Sequence, residues 1–238
     1  MVYKKSFINK FIFLMLLFLS FFILKKESLA SDVKVNRKET LFLGLKQISD
    51  ETMNLKDMRD VRFEKLKKDL EEFTEKGSTK ISVKSNFYPL NPTQFSKEEL
   101  GWGLSDTNLF GLEKDFKDAS EEVGVNPILL MAMAKHETGN GTSELYKNKK
   151  NLFGFNAVDH DPYNLATDFK DERASIFTVA KHLKYEYLNK DGKYYNGVST
   201  DGIGKLYATD PDWSKKVDWM MIEVTRSMIR GYEDYENK

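Results

Sequence analysis

Glu137 follows a stretch, Ile128 to Ala134, in which no side chain is polar, and it stands just before Gly139-Asn140-Gly141. A run that is apolar on every side predicts a helix passing through a core. The two glycines predict where that helix stops. A carboxyl placed where a buried helix surfaces loses part of its hydration, and desolvation penalises the ionised form, so its pKa is expected to rise. The negative end of the helix dipole pushes the same way. A carboxyl that keeps its proton near neutrality can hand it to a leaving oxygen, which is the acid's part in breaking a glycosidic bond. The commoner fate of a glutamate at a helix end is plain solvation.

The elements that must position this carboxyl follow from hydrophobic spacing. Leu109, Leu112, Phe116, Ala119 and Val123 recur at three- and four-residue steps, and Gly124 ends that face. Asn126 is placed to cap the next helix, with Pro127 at its first position, where a missing N–H costs nothing. Asp171 to Tyr187 carries an amphipathic face through Ile176, Val179, Ala180 and Leu183, and Asp210-Pro211 opens a last helix with Val217, Met220, Val224 and Met228 inward. Between them, Asn151 to Asp168 is rich in Gly, Asn, Asp and aromatics, which predicts loops or a short hairpin.

Upstream the composition changes. Lys34 to Lys76 is highly charged with a helical apolar thread (Leu41, Leu45, Ile48, Leu55, Met58, then Phe63, Leu66, Leu70, Phe73). Gly77-Ser78-Thr79 breaks it, Ile81-Ser82-Val83 alternates like a short strand, and Asn91-Pro92 marks a turn. The division expected is residues 1–30 as an export segment, 31–105 as a charged helical arm or spacer, and 106–238 as the catalytic domain. In the first of these, Lys4, Lys5 and Lys10 precede the apolar run Phe11 to Leu24, and Ser28-Leu29-Ala30 offers a small-x-small site. That pattern fits a cleaved signal peptide. An uncleaved anchor, embedding residues 7–24 in the membrane, is the rival, since Lys25 and Lys26 are unusual in a cleavage region. Either way the remainder is expected to work outside the cytoplasm.

Lys plus Arg and Asp plus Glu are each 37, so the net charge is zero, which argues against a nucleic-acid binder. The absence of cysteine excludes disulfides, thiolate metal sites and a cysteine nucleophile. His136, His160 and His182 have no ligand spacing, so no metal and no cofactor are expected. A monomer is expected.

Residues 126–142, NPILLMAMAKHETGNGT, resemble the catalytic helix and turn of the bacterial endo-β-N-acetylglucosaminidases (glycoside hydrolase family 73). KNLFGFNA from Lys150, FKDERASI from Phe169 and LYATDPDW from Leu206 continue the likeness, in order, over about half the chain, leaving the arm uncovered. The resemblance implies a mainly helical α+β fold, lysozyme-like, with a small β-rich lobe beside a groove. It implies cleavage between N-acetylglucosamine and N-acetylmuramic acid in peptidoglycan strands. Glu137 falls on the family's general acid and Glu172 on its second glutamate, with Asp168 and Asp171 as nearby competitors and helix capping as the bland alternative. Tyr207 falls on a tyrosine near the acid, while Asn151, Phe153, Gly154, Phe155 and Asp210 are expected along the substrate groove. Ordinary core is the alternative for the aromatic residues, and Trp213 is expected to pack against the last helix. A muramidase or lytic transglycosylase would share the acid but cut the other bond, and a non-catalytic wall-binding scaffold would need no acid at all.

Overall fold

The computed structural model describes residues 37–157 and 162–237, which fall into two compact units, Met1–Lys56 and Asp57–Lys238. The expected export segment lies outside the described residues. Among those described, no helix is long and apolar enough to cross a membrane.

The first described element is α1, Arg37–Lys76. In the unit ending at Lys56 its apolar thread is unburied: Leu41, Leu45, Ile48 and Leu55 are all exposed. In the unit beginning at Asp57 the thread turns inward, and Phe63, Leu66 and Phe73 are buried. There Phe63 stacks on Tyr232 with centroids 4.3 Å apart, and Phe73 stacks on Phe87 at 4.3 Å. Residues 57–105 therefore share one core with the segment that follows, and the compact unit starts well before residue 106. The strand-like triplet at Ile81 is a series of turns, with the Tyr88 N–H donating to the Ser85 carbonyl at 3.1 Å.

The remaining elements are α2 (Lys97–Trp102), α3 (Glu113–Val123), α4 (Pro127–Thr138), α5 (Glu144–Lys149), α6 (Pro162–Leu165), α7 (Glu172–His182), α8 (Thr200–Tyr207) and α9 (Trp213–Glu236). The chain is mainly helical, as expected. α4 is the central rod: every residue from Pro127 to Lys135 is buried. Asn126 starts it by accepting from the Ile128 N–H at 2.8 Å. Its amide also donates to the carbonyls of Asn86 (2.7 Å) and Tyr88 (3.0 Å), so the cap fastens the 85–91 loop to the same helix end. α9 packs along α4, α2 and α8. α7 runs on into a π-turn, Leu183–Tyr187, which moves Tyr187 inward.

No strand occurs among the described residues, so the expected β-rich lobe is replaced by turns and the short α6. Asn151 holds this segment from within: its side chain accepts from the Phe155 N–H (2.8 Å) and donates to the carbonyls of Phe155 and Thr167, each at 3.0 Å, while the Thr167 N–H also donates to the Phe155 carbonyl at 3.0 Å. Left-handed residues at Lys150, Gly154 and Asn156 fold the segment back on itself.

Asp218 of α9 accepts from the Thr200 hydroxyl at 2.5 Å, and that hydroxyl lies 2.7 Å from the Ser78 hydroxyl. The link ties α9 to the start of α8 and to the turn after α1. Burial pushes the Asp218 carboxyl up to about 6 from an ordinary 3.8, despite the hydroxyl bond. The folded form thus holds the proton more tightly than the unfolded chain. This group's contribution to stability is complete below the unfolded value and is lost as pH rises through about 6. Urea titrations should show Asp218→Asn flattening that decline and gaining on the order of 1–2 kcal/mol over wild type at neutral pH. Parallel curves for the two proteins would contradict this.

Candidate active site

α4 ends at Thr138, whose hydroxyl donates to the Ala134 carbonyl at 2.6 Å and accepts from the Gly141 N–H at 2.8 Å. The turn that follows is tight. A Cβ on Gly141 would come within 2.9 Å of Asn108 Cβ and 3.0 Å of its carbonyl carbon, so only glycine fits there. This close seating fixes the height at which the last turn of α4, and with it Glu137, leaves the core.

Glu137 is mostly buried, and burial raises its carboxyl above the ordinary value. Two effects oppose that rise: a hydrogen bond from Trp213, then the charge of His136. The Trp213 indole N–H donates to Glu137 Oε1 at 2.7 Å. An indole N–H only donates, so Oε1 must accept, and a proton on this acid belongs on Oε2. Oε2 faces Gly154, where even an added Cβ would stay 3.9 Å away. Gly154 has φ +63, a conformation glycine adopts without penalty. The second oxygen therefore looks onto backbone rather than a side chain.

Trp213 is nearly fully buried, the first residue of α9, and packs against Tyr207 with centroids 4.9 Å apart and the rings tilted by 33°. The Tyr207 hydroxyl donates to the Phe153 carbonyl at 3.1 Å. Burial first, then the neighbouring Glu137 charge, hold that phenol well above its ordinary pKa. Tyr207 thus stays neutral, with its proton committed to the loop and its lone pairs available. Rings continue outward: Tyr187 meets Tyr207 at 5.8 Å, His182 meets Tyr187 at 5.5 Å, and Phe155 meets His182 edge-on at 5.3 Å.

The other predicted positions divide. Phe155 and Gly154 are part-exposed on the loop facing Glu137. Asn151 and Phe153 are buried at 1% exposure each, which corrects their expected place on the groove wall. Asn151 organises the loop from beneath and Phe153 is core. Glu172 opens α7 and pairs with Lys150 at 3.3 Å, with a quarter of its side chain exposed. The cap of that helix is Asp171, which accepts from the Ala174 N–H at 2.7 Å, so the capping alternative does not occupy Glu172. Asp168 is exposed. Among the described residues no hydrogen bond joins Glu172 to Glu137. Asp210 pairs with Lys216 at 2.5 Å and accepts from the Asp212 N–H at 3.0 Å; the Lys216 bond holds its carboxyl below the ordinary range. It lines a cavity of about 570 Å³ with Ser199, Asp201, Lys205 and Thr209, beside α8. Among the described residues no group of three His, Asp or Glu could hold a metal.

Trp213 is the site residue that sequence reasoning misplaced. Its contact with Glu137 spans 76 positions, and no local spacing signals it.

The family model described as mannosyl-glycoprotein endo-beta-N-acetylglucosaminidase matches residues 113–226. A Streptococcus pneumoniae protein provisionally named endo-β-N-acetylglucosaminidase is 32% identical over 141 residues, covering 57% of this chain and 21% of that protein. A Bacillus subtilis β-N-acetylglucosaminidase is 31% identical over 145 residues, covering 53% and 16%. The chain thus spans about a fifth or less of the length of these curated relatives. Among solved structures, Staphylococcus aureus glucosaminidase B is 22% identical with a TM-score of 0.46, covering 69% of this chain and 72% of that one.

Asn151→Ala should lower stability by about 1–3 kcal/mol, since it leaves the part-buried Phe155 N–H and Thr167 carbonyl without their side-chain partner. The shift in urea midpoint reports this. A loss under about 0.5 kcal/mol would show that the loop does not depend on the amide.

Proposed function

We propose, from the match of residues 113–226 to the endo-beta-N-acetylglucosaminidase family model, that this chain belongs to that family and hydrolyses the β-1,4 bond between N-acetylglucosamine and N-acetylmuramic acid in peptidoglycan. The observation that carries the reading is the environment of Glu137: burial favours its neutral form, one oxygen is occupied by an indole N–H, and the other faces a side-chain-free stretch of loop. Glu137 Oε2 donates its proton to the glycosidic oxygen as the bond from that oxygen to the anomeric carbon breaks. Positive charge develops on the sugar. Glu172 serves the opposite face, as acceptor for the attacking water or for the N–H of the substrate's own acetamido group; either use requires a carboxylate there. Lys150 orients it. Water adds to the anomeric carbon, and the proton it releases restores Glu137 through the carboxylate or solvent.

Tyr207 acts through its place as well as its lone pairs: it holds Trp213 against Glu137 and ties the Phe153–Phe155 loop to α8. Phe155 and Gly154 are the loop positions offered to sugar. The workplace proposed is the cell wall, reached by way of the N-terminal apolar segment.

The test is digestion of purified peptidoglycan by the full-length protein beside Glu137→Gln, with reducing-end analysis by mass spectrometry. Wild type should create N-acetylglucosamine reducing ends, and Glu137→Gln should lose at least about a thousandfold in rate while melting like wild type. N-acetylmuramic acid ends, or retained activity in the amide variant, would overturn the proposal.

A further inference from the structure

The 57–105 segment, which lies outside the family match, carries a cavity of its own. It measures about 290 Å³ and is lined by Arg62, Lys65, Lys84, Asn91, Thr93 and Gln94 among others, none of them acidic. It sits at the end of α4 opposite Glu137. Asn86 also lines it, and the Asn86 carbonyl accepts from the Asn126 cap of that helix. Eleven residues at 1.5 Å each put Glu137 about 16 Å away along the helix axis.

The two carboxylates beneath these cations are already engaged. Glu99 accepts from Arg59 (3.1 Å) and Arg62 (2.8 Å) through Oε1, and from the Ser96 N–H (2.8 Å) through Oε2. Asp69 Oδ2 takes Lys65 Nζ (2.5 Å) and both the backbone N–H (2.7 Å) and side-chain amide (2.9 Å) of Asn86. Four cations, Arg59, Arg62, Lys65 and Lys84, of which the last three line the cavity, thus face two carboxylates, leaving a local surplus of two positive charges. Donors remain unused as well. Lys65 donates to Asp69 and to the Lys84 carbonyl, which leaves one of its three N–H groups over. Lys84 is exposed, and no ion pair engages its ammonium among the described residues. Lys65 and Lys84 both line the hollow, and a cationic hollow whose N–H groups outnumber its acceptors is a site short of an anion.

We infer that this cavity binds a phosphate group. A carboxylate has two oxygens and is satisfied by one forked guanidinium. Three cations and the Thr93 hydroxyl around one small space match the greater charge and the larger number of acceptor oxygens of a phosphate. The source is either a phosphodiester of an anionic polymer at the cell surface or free phosphate. A polymer held here would moor the protein at the end of its central helix remote from the acid.

The experiment is calorimetric titration of the full-length protein, at constant ionic strength, with poly(glycerol phosphate), inorganic phosphate and acetate. The variants are Lys84→Glu, chosen because Lys84 is exposed and holds up no buried carboxylate, and Lys84→Arg. Saturable binding of a phosphate probe is expected, with acetate inert. Binding should weaken at least tenfold in Lys84→Glu and survive in Lys84→Arg, with thermal melting and peptidoglycan hydrolysis unchanged in both. Binding of the polymer identifies the surface source, and binding of inorganic phosphate alone identifies the free ion. No heat with either phosphate probe, an equal response to acetate, or undiminished affinity in Lys84→Glu would overturn the inference. Because Glu137→Gln should bind phosphate like wild type, failure here is separable from failure of the hydrolase reading.

Discussion

The structure of this chain turns on one contact, the indole N–H of Trp213 held 2.7 Å from Glu137 at the mouth of a buried helix. The carboxyl is caught between opposing demands. Burial favours the protonated acid, while the indole bond and the nearby His136 charge favour the carboxylate. Burial is the larger, so the carboxyl's pKa rises, and the indole decides which oxygen takes the proton. Without the bond, the carboxyl could turn and present either oxygen.

Much of the fold can be understood as what it takes to hold that contact. Asn126 and Pro127 set where α4 begins, and Thr138 with the Gly141 turn sets where it ends. α9 packs against α4 and brings Trp213 to the same level. Tyr207 packs on Trp213 and pins the Phe153 carbonyl, so the loop that faces Glu137 is held by the group that holds the indole. Asn151 in turn shapes that loop from below. Side chains expected to touch sugar thus turn out to support those that would.

The legible parts of the sequence were those governed by local rules. The Asn126 cap, the stop at Gly139 and the junction position of Glu137 all follow from neighbours within four residues, and the structure has them. What was not legible depended on distance. Trp213 meets Glu137 across the chain, so its indole was assigned to helix packing. Asn151 has the polarity of a groove residue, yet polarity does not say whether an amide faces water or backbone. The arm was set apart because its charges are dense. Phe63, Leu66, Leu70 and Phe73 keep helical spacing through that charge, and they mark where the compact unit has already begun.

The central claim concerns a single ionisation, and carbon-13 NMR titration of the Glu137 side-chain carboxyl measures it directly. The account predicts a midpoint above the ordinary glutamate value of 4.5, moving higher still in Trp213→Phe, where the bond that favours the carboxylate is gone. A midpoint at or below 4.5 in the wild-type protein, or a downward move in Trp213→Phe, would contradict it.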